Sequence, residues 1–321
     1  MIPPVVLAPL AGGPSTPELA AAVANAGGLG FVAAGYLRPE VFAEHLDRAR
    51  KLTHGRLGAN VFVLEDRPVD EDALAAYARE LEPEGELGAP RFDDDWLEEK
   101  VAAAIAGGAS VLSTTFGSPP AWLVDAAHDS GVQVWATVAN VEDARTALEA
   151  GTDVLVAQGA EAGGHRASFD DGDEQDVPLL ELLADLHDLG RPVVAAGGVV
   201  DRASADAARA AGAAAVQAGT AFLLCPEAGT YPVHRAALTR DGETAVTRAF
   251  TGRRARGIVN SFMHDHPDAP SAYPHIHHLT APLRAAARAA GDYDRVNLWA
   301  GTRFADAREV PARDVVAELQ P

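Results

Sequence analysis

DVLVAQ at residues 153 to 158 runs directly into AQGAEAGGHR at residues 157 to 166, and together they indicate the fold. A short run that is apolar between its ends suits a strand covered by helices on both faces, which has no solvent side toward which to alternate. The run closes on the amide of Gln158 and gives way to a glycine-flanked loop that presents one imidazole, His165. A strand ending in a polar amide, then a small-residue loop with a titratable group, is how a parallel barrel brings chemistry to the carboxyl ends of its strands.

Similar runs recur on either side: VVLAP (5 to 9), GLGFVA (28 to 33), LGANVFV (57 to 63), SVLST (110 to 114), VQVWATV (132 to 138), PVVAAGG (192 to 198) and AAVQAGTAFL (214 to 223). Ala-rich helical patterns separate them. STPELAAAVANAG offers Ser15 as an N-cap with Glu18 three positions later, and ASADAARAAG stops on Gly212. Strand and helix alternating eight times predict an α/β fold, a TIM (β/α)8 barrel whose loops converge on one site. An open doubly wound sheet fits the same alternation and is the alternative. Residues 65 to 95 and 226 to 299 are too long for ordinary connections. They predict a small, mainly helical cap (66–90 and 226–299) over a barrel made of 1–65, 91–225 and 300–321.

Composition narrows the function. A net charge of -20 over 321 residues repels a phosphate backbone and argues against nucleic-acid partners. The single cysteine, Cys225, excludes an internal disulfide and a cysteine metal cage, and reads as a small buried residue in a reducing compartment. MIPPVVLAPLAGG has no basic start and its apolar run is broken by prolines, so neither a signal peptide nor a membrane span is expected; the expected location is cytoplasmic. His264, His266, His275, His277 and His278 lack carboxylates at ligand spacing, and no metal is expected. The acidic run 170 to 176 reads as a solvated loop, while Arg253, Arg254 and Arg256 either attract an anion or pair with this acidic surface.

Two glycine-bearing strand ends carry the binding evidence. Gly197 and Gly198 directly precede a helix, and Gly219 and Thr220 end the next strand. Backbone amides freed of Cβ bulk at two adjacent strand ends can hold a phosphate, the usual position after the last two strands of a barrel. There is no G-x-x-x-x-G-K-[ST] sequence and no GxGxxG in a fitting βαβ context, which disfavours a nucleotide triphosphatase or a Rossmann dehydrogenase.

Taken in order, APLAGGPSTPELAAAVANAGGLGF, GANVFV, AQGAEAGGHR, AAGGVVD, QAGTAFL, TGRRARGIVN, YPHIHHLT and NLWAGT resemble the nitronate monooxygenase family, formerly called 2-nitropropane dioxygenases, in the bacterial class whose loop reads EAGGH. The resemblance covers nearly the whole chain, although the APLAGG-type start and the glycine pairs are shared with FMN-dependent enoyl-acyl-carrier-protein reductases. It implies a barrel holding FMN non-covalently and an oxidation of alkyl nitronates, and of nitroalkanes where accepted, by O2 to carbonyl compounds and nitrite. By the same resemblance Gly197, Gly198, Gly219 and Thr220 bind the FMN phosphate. Asn60, Gln158 and Gly163 contact the flavin or its ribityl chain, Pro9, Leu10 and Ala11 line the ring, and His165 is the active-site histidine. Thr115 stands where some relatives carry a histidine, and Thr302 where WAGQ is common; both departures bear on substrate contacts. Tyr273 and His277 are candidates for the substrate wall.

The expected enzyme is therefore a flavin-dependent monooxygenase for a small molecule and O2, a monomer or homodimer. His165 either takes the α-proton of a neutral nitroalkane or stands beside a nitronate that arrives ionised. An FMN enoyl reductase or other NAD(P)H reductase is the alternative, against which no separate basic pocket for a nicotinamide phosphate is evident. A non-catalytic flavin-binding barrel is the third reading.

Overall fold

The computed structural model describes residues 1–321. Its strands are β1 (Val5–Leu7), β2 (Gly30–Ala33), β3 (Leu57–Phe62), β4 (Val111–Thr115), β5 (Gln133–Val138), β6 (Val154–Gln158), β7 (Gly164–His165), β8 (Val193–Ala196), β9 (Ala215–Ala218), β10 (Thr244–Thr247) and β11 (Ala255–Ile258). Eight of them pair in parallel in the order β1-β9-β8-β6-β5-β4-β3-β2. The two ends of that series meet, because the Leu7 N–H donates to the Leu29 carbonyl at 2.9 Å and the Leu29 N–H to the Val5 carbonyl at 3.0 Å. Closure makes a TIM barrel and excludes the open sheet. Every one of the expected runs supplies a barrel strand. The last run is shorter than its apolar stretch: it ends at Ala218, and Thr220–Phe222 wind into a 3-10 turn.

Side chains alternate along these strands as the pleat requires. Val6, Phe31, Val111, Trp135, Val154 and Val194 pack inside the barrel, while Val5, Leu7, Val32, Leu112, Val134 and Leu155 face the surrounding helices. Both destinations are apolar, which is why the sequence shows runs rather than alternation. At the first helix (Pro17–Asn25) the expected cap shifts by one residue. Thr16, with Pro17 at the first helical position, accepts the Leu19 N–H at 3.0 Å. Ser15 instead accepts the Leu10 N–H at 2.8 Å and closes the loop after β1.

The two long intervals pack on each other. Leu74, Tyr77 and Leu81 from helix Glu71–Leu81 share a second apolar cluster with Phe250, Phe262, Ile276, Leu279 and Leu283. The Tyr77 hydroxyl donates to the Ala249 carbonyl at 2.7 Å within it. Helix His275–Ala290 carries the last three of these apolar residues. Residues 226 to 299 also contain an antiparallel pair, β10 with β11, that a helical reading of the interval did not announce. This pair is extended by β7, Ala255 opposite His165 and Arg256 opposite Gly164. No helix is long and apolar enough to cross a membrane. Cys225 is buried, and burial pushes its thiol up to about 12.

Helix Pro17–Asn25 makes its tightest backbone approach to the barrel at Gly30. A Cβ on Gly30 would lie 2.0 Å from the Ala20 carbonyl oxygen, and no side chain can move to relieve it. Gly30→Ala should therefore cost about 3 kcal/mol or more, the upper end of overpacking. Urea unfolding checks this; a loss below about 1 kcal/mol would mean that helix and strand separate freely.

Candidate active site

A cavity of about 530 Å³ opens at the carboxyl ends of the barrel strands. Its wall includes Pro9, Leu10, Ala11, Asn60, Thr115, Gln158, Gly163, His165, Gly197, Gly198, Gly219, Thr220 and His277. Of the expected site residues only Tyr273 is off that wall. It stands behind, its hydroxyl 3.1 Å from that of Tyr36 and its ring 5.7 Å from the His165 ring. Thr302 is also off the wall, exposed, with its N–H on the Glu161 carbonyl at 3.0 Å. Its neighbours Gly301 and Arg303 do line the cavity, and the backbone of Thr302 ties this segment to the loop that carries Glu161.

The glycine-bearing strand ends fit a phosphate. Gly197 and Gly198 have φ of 113° and 68°, a backbone that L side chains rarely adopt. The N–H groups of Gly197, Gly198 and Gly219 donate to no carbonyl or side chain of the protein. Unpartnered donors gathered on one cavity wall are the makings of an anion cradle. Gly163 has a different task. A Cβ there would come 2.4 Å from the Ala300 carbonyl carbon and the Gly301 nitrogen, so glycine lets the Trp299–Gly301 segment close. The Gly301 N–H then donates to Thr220 Oγ1 at 3.0 Å, anchoring that hydroxyl beside the cradle.

The amide that ends β6, Gln158, and the one within β3, Asn60, are both oriented by the protein itself. Gln158 Nε2 donates to the His165 carbonyl at 3.0 Å and its Oε1 accepts the Ala167 N–H at 2.9 Å, which braces the His165 loop. Asn60 Nδ2 reaches Ser113 Oγ at 2.8 Å and Thr115 Oγ1 at 3.1 Å, so the Thr115 hydroxyl is tied to it.

His165 sits in an aromatic and cationic setting. Its ring packs at 5.6 Å from Phe116 and 5.4 Å from Trp299, and Nε2 lies 3.0 Å from Thr251 Oγ1. Burial, then the charges of Arg253, Arg284 and Arg166, hold its pKa down at about 3, and the ring is neutral at neutral pH. Arg253 is buried over the Phe116 ring at 4.3 Å and donates to the Arg166 carbonyl at 3.2 Å. Arg254 pairs with Asp176 at 2.9 Å, and Arg256 Nε donates to the Ala160 carbonyl at 2.9 Å. The arginine cluster is thus spent on the loops around the site rather than offered to solvent. For the same reason the acidic run 170 to 176 is not simply solvated: besides Asp176, Asp173 accepts from Asn140 Nδ2 at 2.9 Å and Asp171 lies 3.7 Å from Arg248.

Several wall residues gave no sign in the sequence. Tyr36 and Phe116 have φ of 68° and 79°, unusual for non-glycine residues, and both line the cavity. Thr251, Arg284 and Trp299 also line it.

A closed parallel barrel with unpartnered backbone amides and a neutral imidazole on one cavity at the carboxyl ends of its strands is the place where barrel enzymes carry their chemistry. The chain belongs to the nitronate monooxygenase family, whose model matches residues 1–321. The family is flavin-dependent, and the protein is an oxidoreductase. It is 37% identical over 343 residues to the nitronate monooxygenase of Pseudomonas aeruginosa, covering 98% of this chain and 95% of that one. A probable nitronate monooxygenase of Bacillus subtilis (strain 168) is 34% identical over 311 residues, 93% of this chain and 89% of its own. Among solved structures, a nitroalkane oxidase from Streptomyces ansochromogenes matches with a TM-score of 0.95 and 43% identity over 98% of this chain and 94% of that chain. FabK from Thermotoga maritima, at 24% identity and a TM-score of 0.74 over 98% of this chain and 91% of that chain, shares the fold.

The buried histidines set a pH dependence. His165 at about 3 and His234 at about 4 lie below their unfolded value of 6.5, both lowered first by burial. Below that value the unfolded chain takes up protons that the native chain refuses, so stability is full above it and falls with acidification. Each group contributes on the order of 1 kcal/mol per pH unit. Thermal melts from pH 7 down to about 5 should show a shallower decline for His165→Asn than for the wild type. Parallel declines would mean that His165 is not held neutral.

Proposed function

We propose that this protein is an FMN-dependent nitronate monooxygenase that oxidises alkyl nitronates with O2 to carbonyl compounds and nitrite. The observation that carries the reading is a buried guanidinium without an anion of its own. Arg284 is 5% exposed and lines the cavity. It donates from Nε to Thr280 Oγ1 at 3.0 Å and from Nη2 to the His277 carbonyl at 2.8 Å, and no carboxylate pairs with it. A buried cation lacking a counter-charge is costly, and an anionic substrate in the cavity offsets that cost.

The unpartnered amides of Gly197, Gly198 and Gly219, with the Thr220 hydroxyl, would hold the FMN phosphate. Pro9, Leu10, Ala11, Asn60, Gln158 and Gly163 would wall the ribityl chain and ring. A single phosphate cradle without a second nucleotide fingerprint favours FMN over FAD. When bound, FMN supplies the redox chemistry toward substrate and O2. Residues 66–90 and 226–299 would act as the substrate cap, with Thr115 and His277 on the substrate wall and Tyr273 behind it.

The role of His165 follows from its surroundings. Thr251 has one proton, which it can give to the Arg253 carbonyl at 3.3 Å; its lone pair then accepts from His165 Nε2 at 3.0 Å, leaving Nδ1 unprotonated. A ring held at about 3 is nevertheless a poor acceptor for the α-proton of a neutral nitroalkane, because a general base works best near the operating pH. A nitronate that enters already ionised needs no base, and His165 would orient it in the cavity.

The purified protein should be yellow and release FMN on denaturation; release of FAD, or a colourless protein indifferent to FMN, would reject the cofactor. In the absence of O2 a nitronate should bleach the flavin and NADH should not, the reverse marking a reductase. Arg284→Met should raise KM for the nitronate about 10- to 100-fold with flavin content unchanged, the worth of a hydrogen bond to a charged group. A KM within about twofold of wild type would remove Arg284 from substrate binding. In His165→Asn, nitronate and neutral nitroalkane should lose turnover alike. A selective loss on the neutral form, on the order of 100-fold, would restore the base assignment.

A further inference from the structure

Three consecutive carboxylates, Asp93, Asp94 and Asp95, close the 65 to 95 interval, and the reaction as read above gives them no role. Their partners differ. Asp93 pairs with His278 Nε2 at 2.8 Å, on helix His275–Ala290. Asp94 accepts the Trp96 N–H at 3.1 Å. Asp95 accepts the Tyr36 N–H at 3.1 Å on Oδ1, and its Oδ2 lies 2.7 Å from Lys100 Nζ. Lys100 is 0% exposed and Asp95 5%. Lysine is almost never so buried unless paired, and apolar side chains would fill such a place at least as stably. What the charged pair adds is an immobile acceptor for the Tyr36 N–H.

Tyr36 needs one. Its φ of 68° lies in the left-handed region, which a bulky residue seldom occupies without outside support. In that conformation the ring lies on the cavity wall, parallel to the His277 ring with centroids 4.2 Å apart and planes 6° apart. Its hydroxyl meets that of Tyr273 at 3.1 Å, and Tyr273 in turn packs on His165. The same helix that carries His277 also carries Arg284. One buried ion pair thus fixes a barrel loop against the helix that supplies the substrate wall.

We propose that Asp95 and Lys100 are positioning residues for the nitronate, acting through the backbone of Tyr36; this rests on the substrate reading above. Two double variants separate the acceptor from the charge. Asp95→Asn/Lys100→Met removes both charges and keeps an oxygen for the Tyr36 N–H, whereas Asp95→Ala/Lys100→Met removes the oxygen as well. With the nitronate of nitroethane as probe, the alanine form should raise KM at least about tenfold while kcat stays within about threefold, and the asparagine form should stay near wild type. FMN content should match wild type in both. Hydrogen exchange in peptides covering 34 to 38 and 273 to 280 should quicken in the alanine form alone. Equal KM in the two variants, or equal exchange, overturns the positioning role. If the alanine form does not fold, Tyr36→Asn serves, since asparagine tolerates the left-handed backbone and leaves the ion pair intact. It should reproduce the KM rise, and an unchanged KM overturns the proposal. A wild-type protein that yields no nitrite rejects the substrate reading, while the exchange comparison still decides whether Asp95 holds Tyr36.

Discussion

The short antiparallel pairing of Gly164 and His165 with Arg256 and Ala255 is the seam on which the site depends. A loop of small residues has little to hold it, yet this one carries the imidazole. The pairing borrows order from β11, and the barrel adds more from below, where the Gln158 amide grips the loop at the His165 carbonyl and the Ala167 N–H. Arg166 completes the fixation by donating to the carbonyls of Gly159 and Ala160, both at 3.2 Å. Backbone groups that would otherwise lie buried without partners are satisfied in this way, and the ring is placed by rigid neighbours rather than by its own loop.

Charge is distributed in two layers. The chain carries a formal charge of -20, but the charges that act on His165 are guanidinium groups, with Arg166, Arg253 and Arg284 all buried. The first two are committed to backbone carbonyls. Their field lowers the basicity of the ring and makes the interior favourable to anions, while the acidic exterior keeps nonspecific anionic partners away.

The barrel was legible because strands buried on both faces leave unbroken apolar runs, and the tight strand-end turn at Gly197 and Gly198 because only glycine takes that backbone readily. What stayed hidden were residues whose type contradicts their place. Arg284 lies in TAPLRAAARAAG four positions before Arg288, a spacing that reads as a solvated helix face, yet it is buried at the cavity. Lys100 follows two glutamates at a helix start and reads as exposed, yet it has no solvent contact. Tyr36 and Phe116 adopt backbones that sequence patterns assign to glycine or asparagine. In each instance tertiary contacts outweigh local preference, and a single sequence does not display such contacts.

The contact of Gly163 with Ala300 and Gly301 has a consequence for protein engineering. Backbone meets backbone there with no room for a Cβ, and Thr302 and Thr220 bind the two sides together. Segments far apart in the chain therefore behave as one machined part. A chimaera that imports the histidine loop of a relative without its carboxyl-terminal segment mismatches two rigid surfaces, and evolution can alter the loop only where the distant segment changes with it.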